Sequence, residues 1–402
     1  MVGDFDRLYD EGESVVLDLS TVHTHGPPSL PGKDKNIVSP ATETTSRSLL
    51  VLWKRGKGPA GGLTLDVGPI HRPYGRSPFP FRGGHKKMQE DLIPMKIAVF
   101  GVGGTGGVLG GYLAAAGNDV TFLARGRHLE AMQQNGLRIH TKHRGDILVR
   151  PVQATTAEAY DDTPDVLLVC VKYYNLEDAI ALARRVAGPD TLVVPVLNVF
   201  GTGGVMQKQL PDTTVLDGCM YVFARIGGPG IIEQPQKTLR CFFGFRPGQE
   251  ERLAPKAREL EQRMQETGIQ AHFTDQIQRD ALVKFSFVSP MGAAGLYLDA
   301  VSDDFQKPGE ARDLFVGLVK EVIALGTAMG ITFENDLLEK DLQLMDGSEK
   351  GMTTSMQRDV AKGGKSEFAG LVTRIAEMGK EYGVPTPLYD KITAWGRERG
   401  IR

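Results

Sequence analysis

The chain has 402 residues, a formal net charge of −2, 41% hydrophobic residues and 24% charged residues. That length accommodates two domains with sizeable cores, and the composition is that of an ordinary globular protein. The near-neutral charge gives no electrostatic reason to expect nucleic acid or an acidic membrane surface as a partner.

Residues 1–94 hold ten of the 23 prolines, in stretches such as HTHGPPSLPGKDK and HRPYGRSPFPFRGGHKK. They show no sustained helical period. The segment reads as a disordered extension or as an over-extended gene start, with SLLVLW its one candidate strand. Its first residues, MVGDFDRLYDEGESVV, lack the features of a signal or transit peptide.

From Met95 the pattern changes. KIAVFG, DVTFLAR, DVLLVCVK and TLVVPVLN read as strands, separated by the helical stretches VLGGYLAAAG, GRHLEAMQQNG and NLEDAIALARRVA. Strand alternating with helix predicts a parallel sheet covered on both faces, and the continuous apolar runs fit strands buried on both sides. Residues 214–245 read as further strands with turns, LAPKARELEQRMQETG as a helix and IQAHFTD as an edge strand.

Beyond Asp275 the strands give way to helical periodicity, in RDALVKFSFVSPMGAAG, EARDLFVGLVKEVIALGTAMG, TTSMQRDVAKG and EFAGLVTRIAEMGKEYG. Leu314, Phe315, Leu318, Val322 and Leu325 form one apolar stripe in the second of these. An α/β domain over 95–275 followed by an all-α domain over 276–402 is expected, with the active site in the cleft between them. No apolar run reads as a membrane span. Cys170, Cys219 and Cys241 sit in apolar contexts and read as buried small hydrophobes rather than a disulfide or metal set, which points to a reducing, cytoplasmic setting. The histidines form no ligand-like cluster, so no metal is expected.

The run Gly101-Val102-Gly103-Gly104-Thr105-Gly106 places a G-x-G-x-x-G pattern between a strand and a helix. In that context Gly101 permits the tight turn, Gly103 lets the backbone approach a pyrophosphate, and Gly106 lets helix and strand pack closely. Free N–H groups at the helix start then face phosphate. The fold expected is a Rossmann-type, doubly wound parallel sheet. An NAD site usually carries an acid near the end of the second strand; here that strand ends in Arg125, whose guanidinium suits a 2′-phosphate, so NADP is expected. Lys172 ends the third strand, where it either reaches the adenosine side or the pyrophosphate, or simply faces water.

From Met95 onward the chain resembles the ketopantoate reductase (2-dehydropantoate 2-reductase) family. The resemblance rests on the order and spacing of MKIAVFGVGGTGG, FLARGRHLEAMQQNGLRI, LLVCVKYYNLEDA, IGGPGIIEQ, ALVKFSFVSP, TTSMQRDVAKGGKSEFAGLV and GVPTPLYDKI. It implies an NADPH-dependent reductase of a small 2-keto acid, cytoplasmic, with a homodimer left open. It also implies roles for residues. Lys284 matches the catalytic lysine, although Leu282 stands where the family has tryptophan. Ser355 and Glu367 match the substrate-side serine and glutamate, and Asn198 the asparagine that holds nicotinamide and lysine. Lys172 and Arg125 match basic cofactor positions. Val288 and Gly292 depart from the family, which commonly has substrate-binding asparagines four and eight residues after the lysine.

The chemistry these residues offer is consistent with that resemblance. Hydride addition to a ketone leaves charge on oxygen, and a lysine can meet it as proton donor or cation. Glu367 is expected to orient the Lys284 ammonium or bind a substrate hydroxyl, and Ser355 to bind the carboxylate. Two rival readings remain: the same chemistry on another small carbonyl, or a non-catalytic NADP-binding sensor.

Overall fold

The computed structural model describes residues 95–333 and 336–401. The expectations for residues 1–94, including the strand in SLLVLW, lie outside the described residues.

The first part of the described chain alternates as foreseen except over residues 137–155, where three short strands that the sequence reading left unassigned follow one another. In order it runs β1 (Lys96–Phe100), α1 (Gly104–Ala115), β2 (Asp119–Leu123), α2 (Gly126–Asn135), β3 (Leu137–Thr141), β4 (Ile147–Val149), β5 (Gln153–Thr155), β6 (Val166–Val169), α3 (Leu176–Val186), β7 (Leu192–Pro195), α4 (Thr202–Gln209) and β8 (Thr214–Val215). Six of these strands form a parallel sheet in the order β5-β2-β1-β6-β7-β8. Counting only its own strands, this is the 3-2-1-4-5-6 order of a doubly wound dinucleotide-binding fold. The central strands VLLV and LVVP are buried at every residue, because helices cover both faces. Among those helices, α3 has Glu177 and Asp178 in its first turn and Arg184 and Arg185 in its last, charges that complement the helix dipole.

Two smaller sheets were only partly legible. After β8 come β9 (Asp217–Val222), β10 (Arg225–Gly228), β11 (Ile231–Gln234), β12 (Leu239–Gly244), α5 (Ala254–Glu266) and β13 (Gln270–Phe273). One sheet has the order β10-β11-β3-β4, with β11 parallel to β3. It packs on α1 through glycines: a Cβ at Gly107 would stand 2.6 Å from Ile232 Cγ1. The other has the order β13-β12-β9, and IQAHFTD is its edge strand, parallel to β12.

The remainder is helical: α6 (Ile277–Leu298), α7 (Ser302–Phe305), α8 (Glu310–Ala328), α9 (Leu337–Asp346), α10 (Ser355–Ala361), a π-helical turn (Ala369–Thr373), α11 (Arg374–Tyr382) and α12 (Pro387–Glu398). In α8, Phe315, Leu318, Val322 and Leu325 are fully buried, while Leu314 is only partly covered. One sequence expectation needs correction. Helix α6 is long and apolar enough to cross a membrane by length and composition, but most of it is buried inside the protein. It is the central helix of the helical part, and its apolarity serves the core.

Candidate functional site

The sheet gathers the candidate residues at the carboxyl ends of its strands, where open α/β sheets bind ligands. The glycine turn follows β1, Lys172 follows β6, Asn198 follows β7, and Arg125 lies just beyond β2.

The turn's glycines do different things. Gly101 has φ +96°, and a Cβ there would stand 2.7 Å from Val171 Cγ1 and 2.9 Å from the Cys170 backbone. A Cβ at Gly104 would overlap the Ala224 carbonyl, and one at Gly106 the Gly101 carbonyl. Those three positions are glycine because the protein packs against itself. Gly103 is different: nothing lies within 4 Å of the place its Cβ would take. The opening sits at the N-cap of α1, which has no side-chain cap and no acid in its first turn. An open backbone at an uncapped, positive helix end fits a dinucleotide pyrophosphate. Arg125 is the exposed, extended N-cap of α2, on the strand next to the glycine turn.

Lys284 comes from α6, the first helix after the last strand. Its side chain is 7% exposed. Its Nζ donates to Asn198 Oδ1 at 2.7 Å and to the Met220 carbonyl of β9 at 2.7 Å. The ammonium also stands 5.6 Å from the Tyr221 ring centroid, within range of a cation–π attraction. Burial pulls its pKa below the usual 10.5, and the charge of Glu367 is among the influences opposing that shift. A small cavity opens beside it, lined by Asn198, Gly201, Cys219, Ala281 and Lys284 among others. The structure thus brings Lys284 and Asn198 together as the sequence reading required.

Lys172 and Glu367 are paired with each other. Lys172 does not stand free at its strand end, for Nζ donates to Glu367 Oε2 at 3.0 Å and to Asp359 Oδ2 at 3.4 Å. Glu367 in turn is 2% exposed, and its Oε1 accepts from the Tyr173 backbone N–H at 3.2 Å. Its direct cationic partner is therefore Lys172, whereas Lys284 is held by Asn198 and Met220. Burial lowers the Lys172 pKa, but the two carboxylates outweigh it and the net direction is upward.

Ser355 opens α10. Around it Thr354 and Gln357 form a capping box, with Thr354 Oγ1 accepting from the Gln357 backbone N–H and the Gln357 side chain accepting from the Thr354 backbone N–H at 2.9 Å. Met220 was missed in the sequence reading because its role belongs to a backbone carbonyl, which leaves no residue-type signature. Asp359, four residues after Ser355, carries no sequence signal that separates it from an ordinary polar position on a helix. Among the described residues, no group of three or more His, Cys, Asp or Glu side chains is arranged to hold a metal ion.

Comparison with known proteins agrees with this fold. Residues 97–247 match the family described as ketopantoate reductase PanE/ApbA, and residues 276–399 match its C-terminal region. A 2-dehydropantoate 2-reductase of Mesorhizobium japonicum is 28% identical over 334 residues, covering 76% of this chain and 98% of its own length. The crystal structure of a 2-dehydropantoate 2-reductase from Porphyromonas gingivalis W83 is 30% identical with a TM-score of 0.62, over 75% of this chain and 98% of that one. A ternary structure of D-mandelate dehydrogenase with NADH and anilino(oxo)acetate shares the fold, with a TM-score of 0.66 at 22% identity over 75% of this chain and 96% of that one.

Proposed function

Because this chain belongs to the ketopantoate reductase family, we propose that it reduces a 2-keto acid to the 2-hydroxy acid with NADPH. The observation that carries the proposal is the buried Lys284 ammonium, aimed by Asn198 and the Met220 carbonyl into a cleft at the carboxyl end of the sheet.

In this reading each residue has a distinct task. The backbone from Gly101 to Gly106 (Val102, Gly104 and Thr105 included) and the start of α1 hold the pyrophosphate, with Gly103 giving the closest approach. Arg125 holds the 2′-phosphate. When bound, NADPH supplies the hydride. Lys284 meets the developing charge on the substrate oxygen and delivers the proton, and Asn198 fixes its position. Ser355 binds the substrate carboxylate from the start of α10. Glu367, clamped by Lys172 and the Tyr173 N–H, shapes the charge around the ammonium without touching it.

The test is oxidation of NADPH and of NADH by purified protein across a panel of 2-keto acids. Turnover with NADPH is expected. Removing a charge-assisted hydrogen bond costs about 1.5–3 kcal/mol, so Arg125→Ala should weaken NADPH binding roughly ten- to hundredfold and leave NADH unaffected. Binding of NADPH with no turnover of any acid would favour a sensor instead.

A further inference from the structure

We infer that the substrate side chain lies against an apolar wall, so that the favoured substrates are 2-keto acids with a hydrocarbon side chain and no hydroxyl on it. The inference rests on the reading of the chain as a 2-keto acid reductase.

The wall is the stripe of α6 that continues from Lys284. Residues four and eight further along a helix share one face, and here they are Val288 and Gly292. That stripe leads towards Ser355. A Cβ on Gly292 would stand 3.1 Å from Met356 Cε and 3.9 Å from Thr354 Oγ1, the residues on either side of Ser355. Between the proton donor and the proposed carboxylate ligand, α6 therefore offers the partly buried isopropyl group of Val288, and beyond it the buried Met356 covers Gly292.

Apart from Ser355, assigned here to the carboxylate, the neighbouring polar side chains Thr354, Gln357 and Ser289 are engaged within the protein. Thr354 Oγ1 lies 3.0 Å from Gln357 Oε1 and accepts from the Gln357 backbone N–H at 3.3 Å. The Gln357 amide nitrogen donates to the Ala300 carbonyl at 2.8 Å. Ser289, about 100° around the helix from Val288, is bonded to the Leu371 carbonyl and the Tyr389 hydroxyl. A substrate hydroxyl placed against Val288 would lose its water, and the isopropyl group offers it no donor or acceptor in exchange.

Two acids that differ by one hydroxyl test this: 3,3-dimethyl-2-oxobutanoate and its 4-hydroxy derivative, ketopantoate. An apolar pocket rejects an added hydroxyl only modestly, by up to about a hundredfold, whereas a pocket built to bind the hydroxyl rejects its absence by about 10⁴-fold or more. The expected result is a kcat/KM for the hydrocarbon acid equal to or above that for ketopantoate, with Val288→Asn moving the ratio towards ketopantoate. A kcat/KM higher for ketopantoate than for the hydrocarbon acid would overturn the inference. The pair is also titrated calorimetrically into the NADP-loaded protein, which separates this inference from the catalytic reading. If neither acid turns over, the catalytic reading fails, yet equal or tighter binding of the hydrocarbon acid still sustains the wall. Tighter binding of ketopantoate, or binding of neither, overturns it.

Discussion

Lys172 and Glu367 are 195 residues apart in sequence and 3.0 Å apart in space. The lysine follows β6 of the parallel sheet, and the glutamate precedes the π-helical turn of the helical part. The pair ties the two together across the cleft that holds Lys284. Only one partner is exposed: Lys172 retains 36% of its side-chain surface and Glu367 retains 2%. Removing the lysine therefore leaves a buried carboxylate, held only by the Tyr173 N–H, which is costly. We expect Lys172→Met and Glu367→Gln each to lower Tm by a few degrees. The double variant should lose clearly less than the sum, because the second change removes the charge that the first stranded. Strict additivity in thermal melts would contradict a direct pair.

The glycine turn separates folding from binding. Gly106→Ala forces a methyl into the Gly101 carbonyl and should destabilise the protein outright. Gly103→Ala meets nothing in the protein. It should leave Tm of the free protein within about a degree and weaken NADPH binding at least tenfold, because the methyl occupies the line of approach to the pyrophosphate. Isothermal titration beside thermal melts checks both halves, and an unaltered affinity in Gly103→Ala would argue against a dinucleotide at this turn.

Lys284 should also mark the pH profile. A lysine that donates a proton acts only while protonated, so reduction falls as pH rises through its pKa. Burial lowers that pKa. The alkaline limb of kcat for reduction should therefore begin well below the 10.5 of an ordinary lysine, and oxidation of the hydroxy acid, which needs the free amine, should rise over the same range. A reduction rate that stays flat to pH 10.5 would contradict the assignment.

Asp341 makes a stability prediction away from the cleft. It lies fully buried on α9 with neither carboxylate oxygen in good hydrogen-bonding geometry, and the nearby Ser286 hydroxyl, which donates to the Val283 carbonyl, offsets the burial only in part. Burial pushes its pKa up to about 7. A raised acid pKa means that the native state favours the neutral form. Its stability is undiminished below the unfolded pKa near 4, declines as pH rises towards 7, and stays low above it. Asp341→Asn should therefore have little effect at pH 4 and stabilise the protein at pH 8, by as much as ~4 kcal/mol. Urea unfolding of both proteins across that range measures the difference.

Much of this architecture was readable from residue order, because local patterns encode it. The apolar runs VLLV and LVVP, the glycines after β1 and the periodic stripe on α8 each declare their structure within a few residues. What stayed hidden depends on pairings over long separations. The parallel register of β11 on β3 joins Ile231 to Arg138 across the intervening sheet strands. The partner of Lys172 was hidden for the same reason, as two acids in the helical part lie beside it in space alone. The Met220 carbonyl carries no side-chain signal, and the burial of Lys284 comes from the packing of α6 beside β9, over sixty residues away in sequence.

The central claim is that Lys284 performs the proton transfer. It is tested most directly by comparing Lys284→Ala with the unaltered protein in NADPH-dependent reduction of a 2-keto acid, with NADPH affinity measured on the same samples. General acid catalysis contributes about 10²–10⁴-fold. The expected result is a loss of kcat in that range with NADPH binding retained within a few-fold. A variant that binds NADPH and reduces the acid within tenfold of the unaltered rate would contradict the account.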